Sequence, residues 1–537
     1  MTLQMPTAWW QRGVIYQVYP RSFQDSNGDG IGDLRGIESR LDYLVALGVD
    51  ALWISPIYPS PMADFGYDVS DYCGIDPRFG TLADFDRLLA SAHARGLKLL
   101  LDFVPNHSSN QHPWFVESKS SRSSAKRNWY LWRDPAPGGG PPNNWISDFG
   151  GSAWAWDEAT GQYYYHAFLK EQPDLNWRNP AVQEAMFDVL RFWFDRGVDG
   201  FRVDVLWHMI KAESFPDNPP NPGYLPSMGE MHRVLQVHSA DQPEVHAIAA
   251  EMRRIADAYG ERVLIGEIYL PVERLMHYYG RDALGVHLPF NFQLVEAPWS
   301  ARGIATMIAE YEAALPPGGW PNWVLGNHDR PRIAAKVGEA QARVAAMLLL
   351  TLRGTPTLYY GDELGIGHVD IPPEQVQDPR ELREPGLGLG RDPVRTPMPW
   401  STLPNAGFST GTPWLPLNDD WRERNAECLA DAGAAASMLT LHRELLALRC
   451  AHPALSVGDI ALLEADGDLL VYERRSGDER LLVALNLGNR AQALDVRPLA
   501  GWAHHARALL STTSRERGPV GDRLVLGPNE GIVLAPR

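Results

Sequence analysis

The sequence GFRVDVLWH, residues 200–208, decides the predicted fold, because it has the pattern of a buried strand that ends in a carboxylate. Side chains on a strand alternate between its two faces, so Arg202 and Asp204 point the same way. A neighbouring cation lowers the pKa of a carboxyl group, so the pair predicts an ionised Asp204 that can act as a nucleophile. A structural ion pair would explain the same two residues, and the rest of the chain has to decide.

The same strand pattern recurs along the chain and alternates with helical segments, several of which end at glycine. Eight apolar segments share it: VIYQVYP (14–20), VDALWISP (49–56), LKLLLDF (97–103), GFRVD (200–204), RVLIGEIYL (262–270), VHLPFNF (286–292), WVLGNHD (323–329) and GTPTLYYGDELG (354–365). Strands that alternate with helices predict a parallel sheet. We therefore expect an α/β fold, a (β/α)8 TIM barrel with its active site at the C-terminal ends of the strands.

Two further regions depart from the strand and helix alternation. The Trp-, Pro- and Gly-rich stretch 105–176 is too long for an ordinary loop and predicts an inserted subdomain after the third strand. Beyond residue 451 the pattern changes to period two, which is typical of an antiparallel β-domain. The predicted domains are a barrel formed by 1–104 and 177–450, the inserted subdomain 105–176 and a C-terminal β-domain 451–537. A second insertion, 207–238, has no periodicity that predicts its conformation.

Three carboxylates follow three different predicted strands, namely Asp204, Glu267 and Asp329. Two carboxyl groups about 5 to 5.5 Å apart suit retaining glycoside cleavage, in which one attacks the sugar and the other protonates the leaving oxygen. Glu267 lies on an apolar strand near other anions, so we expect the raised pKa of an acid and base. Asp329 would then bind sugar hydroxyls and favour the positively charged transition state.

The loop DSNGDGIGD, residues 25–33, has oxygen-bearing side chains at alternate positions. Such spacing, with glycines for tight turning, is typical of loops that bind a hard cation. A polar turn would explain the Asn-Gly and Asp-Gly pairs equally well. The residues alone leave both interpretations open.

Composition limits the partners. The chain has 537 residues and a formal net charge of -17, which argues against nucleic acid or an anionic membrane as the main partner. A neutral or cationic ligand fits better, and we expect a small-molecule substrate and a monomer or homodimer with no organic cofactor. Cys73, Cys428 and Cys450 are widely spaced without metal-ligand spacing, so we expect unpaired thiols in a reducing compartment. The N-terminal residues do not have the pattern of a secretory signal, and we expect a cytoplasmic location.

Four segments resemble the ordered signature regions of the α-amylase superfamily, glycoside hydrolase family 13: DFVPNH (102–107), GFRVDVLWH (200–208), GEIY (266–269) and GNHD (326–329). QPDLN from residue 172 and GTPTLYYGDELG resemble its additional regions. The resemblance implies that Asp204 is the nucleophile, Glu267 the acid and base, and Asp329 the transition-state stabiliser. It also implies that subsite −1 is lined by Tyr67, His107, Arg202 and His328. A structural Ca2+ or Mg2+ is implied in the loop, bound by Asp25, Asn27, Asp29, the carbonyl of Ile31, and Asp33.

Two further segments, ADFGYD (63–68) and RTPMPW (395–400), resemble the α-glucosidase and oligo-1,6-glucosidase group. The resemblance implies that Asp64 and Arg395 clasp the non-reducing end of one glucose, which predicts exo-action on short oligosaccharides. Val205 is similar to the residue found in enzymes that accept α-1,6 links. Such a small difference contributes about 1 to 3 kcal/mol to discrimination. We therefore expect a retaining exo-α-glucosidase that releases α-glucose through a covalent glucosyl intermediate, with some transglucosylation.

Two other functions are compatible with parts of this pattern. Trehalose synthases, sucrose isomerases and glucosyltransferases share every motif named and differ in how water is kept from the intermediate. Amino-acid transporter heavy chains also resemble this barrel but bind without cleaving. They lack the intact triad and have a membrane span, whereas this chain has all three carboxylates and no apolar run of spanning length.

Overall fold

Eight parallel strands close into a barrel in which each strand pairs with its sequence neighbours and the last pairs with the first. The computed structural model describes residues 7–431, 437–496, 502 and 506–536. The barrel strands are β1 (Ile15–Val18), β2 (Ala51–Ile54), β3 (Lys98–Phe103), β4 (Gly200–Val203), β5 (Val263–Ile268), β6 (Leu288–Asn291), β7 (Asn322–Val324) and β8 (Thr355–Tyr359). The predicted fold class is confirmed.

Amphipathic helices surround the barrel and bury their apolar faces against the strands. The main helices are Leu34–Ser39, Leu41–Leu47, Leu82–Ala94, Pro180–Asp195, Val245–Ala258, Ala301–Ala314, Glu339–Thr351 and Met438–Ala451. Shorter helices are Trp9–Arg12, Pro20–Phe23, Pro113–Lys119, Val272–Leu275, Gln293–Glu296, Ile333–Val337, Pro379–Arg383, Ala426–Asp431 and Pro453–Ser456. The sequence predicts one helix over 37–47, whereas the structure has two, because Arg40 leaves helical geometry at φ −106° and ψ 5°.

The inside of the barrel is filled by side chains and is not a channel. Ile15, Trp53, Leu100, Ile265 and Phe290, from five different strands, belong to one buried cluster. Layers of bulky residues of this kind are usual in such barrels. The interior is therefore a packed core.

The inserted subdomain contains a small antiparallel sheet of Trp132–Arg133, Gln162–Tyr165 and Trp154–Asp157 in that spatial order. An isolated bridge between His107 and Asp174 joins its two ends, where the chain leaves and re-enters the barrel. The second insertion, 207–238, contains short 3-10 turns at Leu206–His208, Pro226–Met228 and Glu230–Arg233.

The C-terminal region forms an antiparallel β-domain, as predicted. Its larger sheet contains Asp459–Asp466, Leu469–Ser476, Glu479–Asn486, Gly531–Pro536, Ala506–Ser511 and Gly518–Pro519 in spatial order. Gln492–Asp495 pairs with Arg523–Leu526 in a second, two-stranded sheet. Among the residues that the structure describes, no helix combines the length and the apolar character needed to cross a bilayer.

Candidate active site

The three predicted catalytic carboxylates lie together. Asp204, Glu267 and Asp329 line one cavity of about 1180 Å3. Asp204 directly follows β4, Glu267 lies near the end of β5, and Asp329 follows the turn after β7. Each therefore comes from the C-terminal end of a strand, where catalytic groups of this fold are found.

Arg202 holds three carboxylates with one guanidinium. Its Nη1 donates to Asp204 Oδ1 at 2.6 Å and to Asp102 Oδ1 at 2.8 Å, and its Nη2 lies 2.7 Å from Glu267 Oε2. Strand register brings them together, because Arg202 is paired with Asp102 across β3 and β4. The side chain of Arg202 is 1% exposed, so these are buried ion pairs. The guanidinium fork fixes the positions of the two reacting carboxylates relative to each other.

The pKa of Asp204 differs from the sequence-based prediction. Burial raises the pKa of Asp204 well above its usual range, and the guanidinium of Arg202 offsets this only in part, so the predicted lowering is wrong. Burial also raises the pKa of Asp102, to about 6, and that of Glu267. One buried cation cannot neutralise three buried anions, so the cluster retains a proton that its members share as a coupled system.

Val205, which follows Asp204, has a strained backbone. Its φ of 35° and ψ of 46° place a β-branched residue in the left-handed region, where such residues are rare. In this conformation the Val205 N–H donates to Glu267 Oε2 at 2.9 Å. Both described donors to Glu267 therefore go to Oε2, which leaves Oε1 to carry a proton. Strain of this kind is concentrated at functional sites.

Asp329 lies in the opposite electrostatic environment. Its Oδ1 accepts from Arg395 Nη2 at 2.7 Å and lies 3.3 Å from Arg391 Nη1, while Oδ2 lies 3.2 Å from His328 Nε2. Burial alone would raise the pKa of Asp329, but the guanidinium groups of Arg391 and Arg395 hold it well below its usual range. Asp329 is therefore a permanent anion in the cavity.

His328 and Tyr67 form a buried pair behind the carboxylates. Their rings stack with an interplanar angle of 3°, and the Tyr67 hydroxyl lies 2.6 Å from His328 Nε2 and donates to Asp102 Oδ2 at 3.1 Å. Gln17 Nε2 lies 2.8 Å from His328 Nδ1. Burial lowers the pKa of His328 well below its usual range, so the imidazole is neutral. With Gln17 assigned as the donor to Nδ1, the proton is on Nε2 and is donated to Tyr67.

His107 lines the same cavity. It is 2% exposed, and burial lowers its pKa to about 4, so it is neutral at pH 7. Its Nε2 lies 3.2 Å from the amide of Gln172, which also donates to Asp64 Oδ2 at 3.3 Å. Gln172 is a cavity residue that the sequence reasoning included in a motif but did not assign to the site.

The predicted pair of Asp64 and Arg395 is not formed. Asp64 Oδ1 instead accepts from Arg391 Nη2 at 2.7 Å, and the same nitrogen lies 2.7 Å from Asp378 Oδ1. Arg395 is fully buried and donates to the carbonyl of His328 at 2.8 Å and to Asp329. A 3-10 turn, Asp392–Val394, separates the two arginines and turns them toward different partners. Sequence spacing could not distinguish them, because both precede the PMPW segment.

The loop 25–33 is held by its own hydrogen bonds. Asp25 already accepts four, from the N–H groups of Asn27, Gly28 and Gly30 and from the hydroxyl of Ser409. Asn27 and Asp29 each accept a backbone N–H two residues further on, while Asp33 accepts from Gly36 N and from Ser26. Four donors saturate a carboxylate, so in this arrangement Asp25 does not fit a cation ligand. Across the described ranges no group of three or more His, Cys, Asp or Glu side chains has the arrangement of a metal site, and the Ca2+ or Mg2+ site stays a prediction.

The chain resembles known proteins over most of its length. The family model for the alpha amylase catalytic domain matches residues 17–458. A protein of Rhizobium meliloti (strain 1021) named "Probable alpha-glucosidase" is 43% identical over 500 residues, with 90% of each chain covered. An oligo-1,6-glucosidase of Heyndrickxia coagulans is 40% identical, covering 92% of this chain and 95% of that protein.

A solved structure resembles this chain over nearly its whole length. The structure of an alpha-glucosyl transfer enzyme, XgtA, has a TM-score of 0.92 and 40% sequence identity, covering 99% of this chain and 100% of the other. The family match extends over the barrel strands and all three carboxylates of the cavity. The resemblance inferred from the four signature segments is confirmed, and the chain belongs to the α-amylase family of glycoside hydrolases.

Proposed function

We propose that this protein is an exo-acting, retaining α-glucosidase that releases α-glucose from the non-reducing end of short α-1,4 or α-1,6 glucosides. The observation that carries the proposal is the pair of carboxylates, Asp204 and Glu267, held by one guanidinium at the cavity wall. The names of the curated relatives, alpha-glucosidase and oligo-1,6-glucosidase, support the substrate class.

In the first step Asp204 acts as the nucleophile. Its Oδ1 is held by Arg202, so Oδ2 attacks the anomeric carbon and forms a bond to it while the glycosidic carbon–oxygen bond breaks. Glu267 delivers the proton retained by the carboxylate cluster to the leaving oxygen, from Oε1. The aglycone leaves as a neutral alcohol and the glucosyl group stays on Asp204.

In the second step Glu267, now a carboxylate, takes a proton from water. The resulting hydroxide attacks the same anomeric carbon, the bond to Asp204 breaks, and the nucleophile leaves as a carboxylate. Two inversions give net retention, so the product is α-glucose. Asp329, which stays ionised, stabilises the positive charge that develops on the sugar ring in both transition states.

The proposed exo-action rests on the closed far side of the cavity. Asp64 and Arg391 are both buried there and form an ion pair, and Asp378 binds the same guanidinium from behind. A buried, doubly paired guanidinium is costly to displace, because breaking the pair leaves uncompensated charge. In this proposal the pair ends the sugar site and presents charged groups to the hydroxyls of one terminal glucose.

Glucosyl transfer is the second candidate function. The aglycone side of the cavity is lined by apolar residues of the second insertion, including Met231, Val234, Leu235 and Val237. An apolar wall favours an organic acceptor over water in the second step. The structural likeness to an alpha-glucosyl transfer enzyme supports this alternative. Product analysis at high maltose concentration separates the two. Hydrolysis gives two glucose molecules per maltose, whereas transfer to a second maltose gives a trisaccharide and one glucose, and transfer back to the released glucose gives an isomeric disaccharide.

The Asp204→Asn variant tests the proposed nucleophile. An amide cannot form the glucosyl ester, so we expect kcat on maltose to fall by about 10^4-fold or more. The control is Asp157→Asn, which replaces a buried aspartate of the inserted subdomain that is paired with Lys119. A correctly folded Asp204→Asn protein with wild-type turnover would exclude Asp204 as the nucleophile.

We also propose a reducing compartment such as the cytoplasm, because Cys73, Cys428 and Cys450 are all free thiols. Sedimentation of the purified protein, with and without dithiothreitol, tests whether the three thiols stay unpaired and whether the protein is a monomer or a homodimer. A disulfide-linked species that persists in cell extracts would contradict it.

A further inference from the structure

A second cavity lies on the inserted subdomain, outside the active site. Its volume is about 590 Å3, within the range of small-molecule pockets. It shares no lining residue with the active-site cavity. Four arginines line it, Arg122, Arg127, Arg133 and Arg178, against a single carboxylate, Glu213.

The local charge is opposite to that of the whole protein. The stretch from Lys119 to Arg133 contains five basic residues and no Asp or Glu, in a chain whose formal net charge is -17. Cations that line a concave site raise the local concentration of anions. The cavity is therefore a positive site on an acidic protein.

Two of the arginines have no carboxylate partner among the described residues. Arg122 pairs with Asp134 at 3.1 Å and Arg178 with Glu244 at 2.7 Å. Arg127 donates only to neutral oxygens, among them the Gln162 side chain at 2.6 Å, and its buried Nε has no partner.

Arg133 is similar, since its described donors reach only the backbone carbonyls of Trp132 and Glu213. Both guanidinium groups lie at the wall of the cavity, and carboxylates act on them only through space, Asp157 and Asp134 on Arg127 and Glu213 on Arg133.

Aromatic rings orient both guanidinium groups. The Arg127 guanidinium carbon lies 3.4 Å from the ring centroid of Trp132, and that of Arg133 lies 3.9 Å from that of Phe215. A stacked guanidinium is fixed in its plane, and each of the two groups keeps at least one Nη hydrogen, beyond those in the hydrogen bonds above, for a planar or tetrahedral oxyanion. Burial lowers the pKa of Arg127 to about 10, so both groups are cations at neutral pH.

We propose that this cavity binds a small phosphate-bearing ligand, with Arg127 and Arg133 as its charged contacts. A phosphate offers up to two negative charges and enough oxygens to satisfy both guanidinium edges at once. Inorganic phosphate and a sugar phosphate share this chemistry, and the volume of the cavity accommodates either.

Isothermal titration of the full-length protein tests the proposal, with glucose in the buffer to occupy the active site. The probes are inorganic phosphate and glucose 6-phosphate. We expect one saturable site, and Arg133→Gln should weaken binding by about tenfold or more, since a charge-assisted contact is lost. Arg281→Gln is the matched control, because that side chain is 94% exposed and lies outside the cavity.

The two probes distinguish free phosphate from a sugar phosphate as the ligand. Equal affinity for both would identify the phosphate group itself as the ligand, whereas binding of glucose 6-phosphate alone would identify a sugar phosphate. Affinity that falls as sodium chloride is raised supports the charged contacts without any substitution. No saturable binding of either probe, or unchanged binding in a folded Arg133→Gln protein, would overturn the proposal.

Discussion

Val205 has a strained backbone, and its side chain is expected to affect substrate preference. Its N–H binds Glu267, and its side chain is part of the cavity wall beside the nucleophile. Val205→Thr keeps the branched shape but adds a hydroxyl, so we expect a relative loss of α-1,6 cleavage. The ratio of kcat/KM for isomaltose to that for maltose should fall by an amount worth about 1 to 3 kcal/mol. An equal loss on both sugars would show that Val205 positions the acid and does not select the linkage.

Asp102 shares the guanidinium of Arg202 with Asp204 and Glu267, so its charge should affect their protonation. Asp102→Asn removes one of the three anions that share Arg202, so the pKa values of Asp204 and Glu267 should fall. Both limbs of the pH profile of kcat/KM should therefore move to lower pH, in addition to any loss of rate. Asp157→Asn, a buried aspartate outside this cluster, should leave the profile in place. An unmoved profile in Asp102→Asn would contradict the shared-proton account.

At this scale the sequence predicted which residues meet but not their electrostatics. Strand ends and motifs identified Asp204, Glu267 and Asp329. The direction of the Asp204 pKa could not be predicted, because it depends on complete burial and on Asp102 from the neighbouring strand. Arg202 was interpreted as the partner of one carboxylate, whereas it holds three.

One guanidinium group, that of Arg391, connects the carboxylates at the far wall of the cavity. Arg391 contacts Asp64, Asp378 and Asp329, and a lysine cannot bridge three carboxylates with one compact ammonium group. Arg391→Lys should therefore raise KM for maltose by about tenfold or more, corresponding to 1.4 kcal/mol or more of lost binding. Steady-state kinetics measure this, with Arg380→Lys as the control, another arginine of the same cavity. An unchanged KM in Arg391→Lys would mean that the ion pair does not hold the terminal glucose.

The loop 25–33 gives a test of the predicted cation. Its hydrogen bonds hold Asp25 without a metal, so we expect the same Tm in EDTA and in calcium or magnesium. Differential scanning calorimetry measures this. A lower Tm in EDTA that either cation restores would show that the loop rearranges to bind the ion, as the sequence predicts.

Elements that depend on local sequence could be predicted, whereas elements that depend on contacts distant in the sequence could not. Barrel strands and helices could be predicted because each has its own apolar period. The second insertion could not, since it is held by distant contacts, such as Glu230 N to Glu384 at 2.7 Å and Gln236 to Asp148 at 2.7 Å. The choice between Arg391 and Arg395 failed for a similar reason, because a 3-10 turn decides it.

Two buried arginines join the barrel to the C-terminal domain. Arg474 donates to the carbonyls of Thr351, Gly458 and Asp459. Arg449 donates to five carbonyls, three at the end of the helix Glu339–Thr351 and two in the helix Pro453–Ser456. Arg474→Met leaves buried carbonyls without donors and should cost about 2 to 4 kcal/mol, with a lower Tm in calorimetry. KM for maltose should not change. Arg475→Met, on the exposed face of the same strand, should be neutral, and equal effects of the two would contradict this role.

The whole molecule presents one large cavity at one end of a packed barrel, with Asp204 and Glu267, the proposed nucleophile and acid, held by one cation. The central claim is retention through Asp204 and Glu267, and proton NMR of maltose and isomaltose cleavage tests it most directly. The account predicts that the anomeric signal of α-glucose appears first and that the β signal grows only as the sugar mutarotates. Initial appearance of β-glucose would contradict the two-carboxylate retaining mechanism.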